Sequence, residues 1–372
     1  MHNERKKGGA ALIPKTIRLK AWAHYDRLQR EEPRIRTLFW ETTLRCNLSC
    51  RHCGSDCLKQ EYQDELSSEE ILDAFRQIAE AYDPREIMVS VSGGEPLLRE
   101  DLFEVMNEAV KMGFRWGMTT NGFLVDEKIV RRCLEAGMKT VSISLDGLEE
   151  AHNDLRRHPE SFSRATRALE LFAESKALRV VQATSCITPK TIGQLEEMLS
   201  LVKSLKIDSW RIMNVFPYGR ADRELTLSSR DLEKMLRFIQ EKRTSERLNV
   251  TYSDEGFLGC KFEGEVRSHF YTCQAGISVA SILNNGDIGA CNSLPRSLVQ
   301  GNIRKDRIVD VWENRYQLFR DRRWMKQGKC KNCGWWSNCL GNSLHLWDHE
   351  KQEPAYCHYR MLKKNGEAPA SP

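Results

Sequence analysis

The chain has 372 residues, of which 40% are hydrophobic and 29% are charged, and these proportions indicate a folded globular protein rather than a disordered or fibrous one. Its formal net charge is +5, with 57 basic and 52 acidic side chains dispersed among one another, so the composition does not favour a nucleic-acid partner. The apolar runs are far shorter than the ~20 residues of a membrane span, and the basic N-terminus lacks a signal-peptide core, so we expect a cytoplasmic protein with no membrane partner.

Thirteen cysteines are many for a protein of a reducing compartment, where clustered cysteines more often bind metal than form disulfides. They fall into two groups, near residues 46–57 and near residues 260–357. Between these groups, Cys133 and Cys186 stand alone in apolar surroundings. We expect both to be small hydrophobic residues of the core.

The first predicted strand, residues 38–40, is followed by three cysteines in the run CNLSCRHC: Cys46, Cys50 and Cys53. This C-x3-C-x2-C spacing offers three thiolates from one loop to an iron–sulfur cluster and leaves one iron open to a small molecule. By spacing alone, a partial zinc site or a set of buried thiols remains an alternative. Cys57 follows four residues later, and we expect it to be a neighbouring or packed thiol rather than a fourth ligand.

Strand-like and helix-like segments then alternate along the chain. Repeated strand–helix units predict an α/β fold, in which a parallel sheet with helices outside is curled into a full or partial barrel. Polar and glycine residues recur where the strands end, which is where such folds place their sites. The predicted strands are residues 86–91, 115–120, 140–145, 179–185 and 209–215, and the predicted helices are residues 101–112, 127–136 and 192–205.

The run Gly93-Gly94-Glu95-Pro96 ends the second strand. Adjacent glycines let the backbone approach a ligand closely, and its carbonyl groups, with Glu95 nearby, suit a cationic amine. A plain strand-to-helix turn, in which Pro96 opens the helix, explains the same residues. Polar residues at other strand ends can hydrogen-bond a ribose, although each is also common in turns and caps: Asn121, Ser144 and Asp146.

Taken together, these residues resemble the radical S-adenosylmethionine (SAM) superfamily over about residues 35–220. The match consists of the C-x3-C-x2-C loop after the first strand and the Gly-Gly-Glu-Pro run after the second, in the expected order. The resemblance implies a partial (β/α)6 barrel whose three cysteines hold a 4Fe–4S cluster, with SAM on the open iron. Reduction of the cluster then releases a 5′-deoxyadenosyl radical, which abstracts a hydrogen atom from the substrate.

The resemblance also implies which residues contact SAM. Gly93, Gly94 and Glu95 would bind the methionine amine. His52, which occupies the usually aromatic position before the last cysteine, would lie against the adenine. The candidates near the ribose are Asn121, Ser144 and Asp146, and the candidate for the carboxylate is Arg211.

The second group of cysteines stands in the C-terminal third of the chain. Four of them, Cys330, Cys333, Cys339 and Cys357, would also suit a zinc ribbon on spacing alone. Beside a radical SAM barrel, however, the whole layout resembles the SPASM extension, a cysteine-rich, loop-rich domain that binds auxiliary iron–sulfur clusters. The resemblance implies at least one auxiliary 4Fe–4S cluster, held by these four cysteines.

One position departs from the SPASM pattern. In that family, a cysteine of the first auxiliary cluster follows the equivalent of Cys339 after three intervening residues. This position is occupied by Ser343 here. The remaining candidates for this first site are Cys260, Cys273 and Cys291. With at most three thiolates, the first site is expected to be open, serine-ligated or absent.

These resemblances divide the chain into five predicted segments. They are an N-terminal extension (1–34), the radical SAM barrel (35–220), a helical linker (221–259), the SPASM domain (260–365) and a disordered tail (366–372).

SPASM proteins commonly modify ribosomally made peptides or act on proteins, so a peptide or protein substrate is the leading expectation. The implied electron donor is of the flavodoxin or ferredoxin type. Because the roughly 40 residues before the cluster loop are too few for a leader-binding domain, we expect either a separate leader-binding protein or a substrate that is read directly by the barrel mouth. The sequence around Cys46–Cys57 also resembles a Bacteroidetes group encoded beside small lipoproteins. The alternatives are tetrapyrrole modification in haem or haem d1 synthesis, and a zinc-stabilised interaction protein without enzymatic activity, which would leave Gly-Gly-Glu-Pro unexplained.

Overall fold

The computed structural model describes residues 13–57, 64–253 and 255–363 of the chain. Within these residues, a main sheet of ten strands is accompanied by a two-stranded ribbon. The strands are β1 (Thr37–Glu41), β2 (Met88–Ser92), β3 (Arg115–Thr120), β4 (Thr140–Ser144), β5 (Val180–Ile187), β6 (Ser209–Asn214), β7 (Asn249–Tyr252), β8 (Val279–Ile282), β9 (Asp287–Gly289), β10 (Gly301–Asn302), β11 (Trp347–Asp348) and β12 (Glu353–Pro354). The α-helices are α1 (Lys15–Glu31), α2 (Ser68–Ala81), α3 (Leu102–Lys111), α4 (Glu127–Glu135), α5 (Glu149–Arg156), α6 (Ser161–Ser175), α7 (Leu195–Ser204), α8 (Ser229–Ser245), α9 (Ile308–Asn314), α10 (Gln317–Arg320), α11 (Trp336–Cys339) and α12 (His358–Lys363).

Strands β1 to β7 lie side by side in chain order, and all of them are parallel. This order confirms the predicted parallel sheet with helices between its strands and the partial barrel that the resemblance implied. The sheet is nevertheless longer than predicted. On the far side of β1 it continues through β8, which is parallel to β1, and then through the antiparallel strands β9 and β10.

The two faces of the barrel strands differ in polarity, because successive side chains of a strand point to opposite faces. In β2, Val89 and Val91 are fully buried, whereas Ser90 and Ser92 belong to the opposite face. The buried faces of the strands join the apolar sides of the helices in one continuous core. The other faces line the inside of the barrel, so polar side chains near the carboxyl ends of the strands collect there.

Local sequence explains where several elements begin. Helix α2 starts at a capping box, in which the Ser67 hydroxyl accepts from the Glu70 backbone and the Glu70 carboxylate accepts from the Ser67 N–H at 2.7 Å. The predicted strands lie within two residues of the observed ones. The helix predicted over residues 192–205 is instead a 3-10 turn, Ile192–Gln194, followed by α7.

The predicted segments are more closely joined than separate domains would be. The N-terminal extension contains α1, whose Leu19 carbonyl accepts from Asn338 at 3.1 Å. The segment 221–259 is not only helical, because it supplies β7 as well as α8. The cysteine-rich segment contributes β8 directly to the edge of the barrel sheet. The predicted disordered tail, residues 366–372, lies outside the described residues, and none of the described helices has the length and apolarity needed to cross a membrane.

Candidate active site

A cavity of about 680 Å³ lies at the carboxyl ends of β1 to β6. One wall is the cysteine loop, and another is formed by the strand ends from Glu41 to Asn214. The lining is completed by residues of the C-terminal part of the chain, which are residues 292–294, Arg296, Glu255 and His345. The volume lies within the range of ~300–1,000 Å³ that is usual for small-molecule sites. The sequence had placed the site at these strand ends, and the structure confirms that they meet in one cavity.

The three cysteines of the loop, Cys46, Cys50 and Cys53, all border this cavity. The Asn121 side-chain nitrogen lies 4.0 Å from the sulfur of Cys46, and Arg156 lies 3.7 Å from the sulfur of Cys50. Such donors favour a thiolate, which is the form of cysteine that binds metal. The donor set and its surroundings therefore fit an iron–sulfur cluster with three protein ligands.

Cys57 lies directly beside these cysteines. Its sulfur is 3.2 Å from the sulfur of Cys53, and the residue is 5% exposed. The hydrogen bond from the Cys57 thiol, together with other donors, lowers the pKa of Cys53 to about 5. This contact places Cys57 as a thiol neighbouring the motif, and the assignment of Cys46, Cys50 and Cys53 as the ligand set stays a prediction.

Two glycines hold the end of β2 against the strand-to-loop segment that precedes the cysteines. The Gly94 N–H donates to the Thr43 carbonyl at 2.7 Å, and the Glu95 N–H donates to the Arg45 carbonyl at 2.9 Å. A Cβ atom on Gly94 would collide with the carbonyl oxygen of Arg45, and Gly93 has φ +145°, a conformation that favours glycine. Both glycines border the cavity, so their backbone lines it at the end of β2.

Glu95 has a different environment from the one expected. Its side chain has no exposed surface, and its carboxylate accepts from the Thr120 hydroxyl at 2.7 Å and from the Asn121 N–H at 2.9 Å. The direct contact with the methionine amine that the resemblance implied is therefore not supported by this arrangement. Instead, Glu95 fixes the end of β3 and thereby places the Asn121 side chain at the cavity.

Asp146, predicted near the ribose, is also buried rather than exposed to the cavity. Its carboxylate accepts from Arg156 Nε at 2.7 Å and from the Cys186 N–H at 2.9 Å. Burial by itself would raise the pKa of Asp146, but the positive charge of Arg156 holds it well below its usual range. Asp146 therefore remains ionised and positions Arg156, which does border the cavity, beside Cys50.

His52 and Arg220 carry buried nitrogen atoms that have no hydrogen-bond partner within the described part of the chain. These atoms are Nδ1 of His52 and Nε and Nη2 of Arg220, and both side chains border the cavity. Burial lowers the pKa of His52 to about 4, so the ring is neutral near pH 7. Nε of Arg220 lies 3.7 Å from a carboxylate oxygen of Asp56, with which it forms an ion pair. Buried polar atoms without hydrogen-bond partners are costly, so Nδ1 of His52 is available to a bound ligand such as an adenine ring.

The remaining candidates are divided between the cavity and its surroundings. Ser144 borders the cavity as predicted. Arg211 is exposed on β6 and does not border it, although Met213 on the same strand face does. Cys133 is fully buried, as expected, whereas the expectation that Cys186 is only a core residue is wrong, because it lines the cavity wall at the end of β5.

Several lining residues were not predicted from the sequence. Arg220 lies five residues after the predicted strand 209–215, which ends at the cavity. Arg156 lies in α5 and belongs to no recognisable motif. The other missed residues form pairs between distant segments, and their polar character gave no signal of proximity. These pairs are Glu41 with Arg296, at 2.6 Å, and Glu255 with His345, at 3.5 Å.

The four cysteines assigned to the second auxiliary site lie close together. Burial raises the pKa of Cys339 well above its usual value, and the neighbouring sulfurs of Cys357, Cys330 and Cys333 raise it further. Such mutual repulsion between thiolates is relieved when a metal binds. The set therefore fits a cluster with four cysteine ligands, although the four sulfurs alone would also suit zinc.

Lowering the pH should destabilise the protein through His152, which is buried beside Asp146. His152 Nδ1 accepts from the Asp146 N–H at 3.0 Å, and burial lowers the pKa of the ring to about 4. Because the unfolded chain takes up this proton near pH 6.5, stability should fall between pH 6.5 and about 4, by about 2 kcal/mol at pH 5. Urea denaturation at pH 7.5 and pH 5 of the wild type and of His152→Gln measures this effect. An identical pH dependence in the two proteins would contradict it.

Comparison with known proteins identifies two family matches. The profile of the radical SAM superfamily matches residues 40–202, and that of an iron–sulfur cluster-binding domain, SPASM, matches residues 273–334. The mycofactocin maturase of Mycobacterium ulcerans is 30% identical over 315 residues, which cover 82% of this chain and 82% of that protein. The AdoMet-dependent heme synthase of Methanosarcina barkeri is 29% identical over 350 residues, which cover 88% and 98% of the two chains.

Solved structures show the same fold. SuiB of Streptococcus suis, bound to its precursor peptide SuiA, superposes with a TM-score of 0.71 at 19% identity, over 98% of this chain and 84% of that one. The protein anSMEcpe with bound AdoMet superposes with a TM-score of 0.68 at 19% identity, over 89% and 95% of the two chains. Both family matches fall on the segments for which the sequence predicted a cluster-binding barrel and a cysteine-rich extension.

Proposed function

Because the chain belongs to the radical SAM superfamily, we propose that it uses a 5′-deoxyadenosyl radical to modify a peptide or protein substrate. When a 4Fe–4S cluster and SAM are bound, one-electron reduction splits the sulfonium and supplies a radical that takes a hydrogen atom from carbon. Cys46, Cys50 and Cys53 would hold this cluster. The electron would come from a donor of the flavodoxin or ferredoxin type in the cytoplasm.

The cavity residues have separate roles in this proposal. The backbone of Gly93 and Gly94 would face the methionine amine, and Asn121, placed by Glu95, would lie near the ribose with Ser144. The neutral ring of His52 would accept a hydrogen bond from the adenine or donate one to it. Arg156, held by Asp146, would keep a positive charge beside the cluster ligands, and this charge stabilises thiolates.

The choice of substrate rests on the polar side chains that the C-terminal part of the chain adds to a mainly apolar cavity wall. The segment after β9 brings Arg296 to Glu41, and Asn292 donates to the Ser92 hydroxyl at 2.8 Å. Since the cavity of about 680 Å³ must also hold SAM, only part of a larger substrate fits beside it. A peptide segment can pair its backbone N–H and C=O groups with these polar side chains and place its own side chains against the apolar part of the wall. A separate leader-binding protein would then deliver the peptide.

A tetrapyrrole is the second candidate substrate. The likeness to AdoMet-dependent heme synthases, at 29% and 26% identity over 98% and 96% of those proteins, supports it. The guanidinium of Arg296 in the cavity wall would suit a propionate carboxylate. This candidate uses the same cluster and the same SAM site, so the choice between the two rests on the substrate alone.

Formation of 5′-deoxyadenosine distinguishes the two candidates. The anaerobically reconstituted protein is incubated with SAM and dithionite, alone, with peptides encoded by neighbouring genes, or with iron coproporphyrin III. We expect a cognate peptide to raise the rate at least about tenfold and to change in mass, since a bound substrate completes the radical site. Stimulation by iron coproporphyrin III, with no response to any peptide, would overturn the peptide assignment.

A further inference from the structure

We infer that the first auxiliary site of this chain holds no iron–sulfur cluster, because a buried network of hydrogen-bonded side chains occupies its place. The inference concerns the number of clusters in the protein and goes beyond the proposed function. It begins at Ser343, which stands where the SPASM pattern has a cysteine. The same segment leads, two residues later, to His345 in the cavity wall.

The hydroxyl of Ser343 already has its partners. The residue is 1% exposed, and its Oγ bonds both the Tyr271 hydroxyl and the Glu255 carbonyl, the latter at 2.8 Å. A serine hydroxyl has one proton to donate and is a far poorer ligand for iron than a thiolate. Ser343 therefore acts here as a structural link between the segments that contain Tyr271 and Glu255.

The network extends behind Tyr271. The carboxylate of Glu263 accepts from the Tyr271 N–H at 2.9 Å and pairs with Arg267 at 2.6 Å, and both of these charged side chains are almost completely buried. The Arg267 guanidinium lies 5.0 Å from the centre of the Tyr271 ring and also donates to the Ser253 carbonyl at 2.9 Å. A cluster next to Ser343 would have to displace these groups from partners they need, since buried charges are stable only when paired.

Cys260 and Cys291, two of the three cysteines of the site, contact other groups of the protein. Cys260 packs against an apolar cluster that includes Phe257 and Phe270, as Cys333 and Cys339 of the second site also do. The sulfur of Cys291 lies 3.6 Å from the Asn292 side-chain oxygen. The donor set is therefore three thiols and a hydroxyl that is already bonded elsewhere, whereas the second site offers four thiols. Together these observations do not fit a first auxiliary cluster.

Iron and sulfide analysis with Mössbauer spectroscopy tests the inference on the reconstituted full-length protein. We expect about eight irons per chain, four in the barrel and four at the second auxiliary site. The variant Cys260→Ala/Cys273→Ala/Cys291→Ala should retain all eight. The matched control, Cys330→Ala/Cys333→Ala/Cys339→Ala, should fall to about four. About twelve irons in the wild type, or a loss of four in the first variant, would overturn the inference.

Two substitutions at position 343 keep the test informative if a triple variant fails to fold. Ser343→Cys restores the family pattern, yet it should not raise the iron content, because the network around Tyr271 and Arg267 remains. Ser343→Ala should leave the iron content unchanged and lower the melting temperature by several degrees, since two buried groups lose their partner. A loss of iron in Ser343→Ala would show that the wild-type site binds a cluster. A gain of four irons in Ser343→Cys would show that the missing thiolate, and not the network around Tyr271 and Arg267, keeps the site empty, and would overturn the role given to the network. Because iron content does not depend on the substrate, these results are independent of the proposed function.

Discussion

Replacing Cys46, Cys50 and Cys53 together with alanine should remove about four irons per chain and abolish formation of 5′-deoxyadenosine. The three thiolates are the only protein ligands that the motif offers to the radical cluster, and a cluster cannot be retained without them. The auxiliary iron should remain, because Cys330, Cys333, Cys339 and Cys357 belong to a different part of the chain. Iron analysis and chromatography of the reaction with SAM and dithionite measure both effects.

Two control variants separate ligand loss from general damage. Cys57→Ala removes a buried thiol that contacts Cys53 but is not part of the motif, and it should keep the full iron content. Cys133→Ala removes a fully buried cysteine far along the chain and should do the same. If the triple variant still produced 5′-deoxyadenosine, the assignment of the ligands would be wrong.

The substitution Asp146→Asn should destabilise the protein by about 3–5 kcal/mol, because it leaves the buried charge of Arg156 without its partner. In the wild type the two side chains are joined at 2.7 Å, and neither is appreciably exposed. The loss should appear as a lower midpoint of urea denaturation at pH 7. The iron content of the barrel site should also fall, since Arg156 then no longer has a fixed place beside Cys50.

A double variant and a surface variant provide the comparison. Asp146→Asn/Arg156→Met removes both charges and should recover part of the lost stability, because no unpaired charge remains buried. Asp154 lies on α5, the same helix as Arg156, and forms ion pairs at the surface with Arg51 and Lys190. Asp154→Asn breaks these pairs and should lower the free energy of unfolding by at most about 1 kcal/mol. Equal losses in Asp146→Asn and Asp154→Asn would contradict the role given to the buried pair.

Much of the fold could be predicted because the barrel repeats a local signal. Apolar strands, amphipathic helices and the glycines or prolines between them recur from residue 86 to residue 215, and each predicted strand lies within two residues of its observed position. The helices α5 and α6 were not predicted. The strands β7 and β8 could not be assigned to the sheet in this way. They are short, and their pairing with β1 and β6 depends on the tertiary structure, so no local pattern assigns them to the sheet.

The candidate ligands of the clusters could likewise be predicted from the sequence itself. Cysteines at fixed spacing in one short loop remain close together in any fold, and few ions other than iron and zinc bind such sets of thiolates. The glycines at 93 and 94 belong to the same class, because their requirement for close backbone approach is local. The motif of three cysteines and two glycines therefore fixed the position of the cavity at the strand ends.

The roles of the polar residues were decided only by the tertiary structure. Glu95 and Asp146 follow strands as ligand-binding residues do, yet both are buried. Glu95 accepts a hydrogen bond from Asn121 at the end of β3, and Asp146 accepts one from Arg156 of α5. For the same reason, the position of Cys186 was predicted wrongly and the role of Ser343 was left open. Burial and hydrogen-bond partners depend on segments far apart in the chain, such as Ser343 with Tyr271, and a side chain's chemistry follows from these partners rather than from its position in a motif.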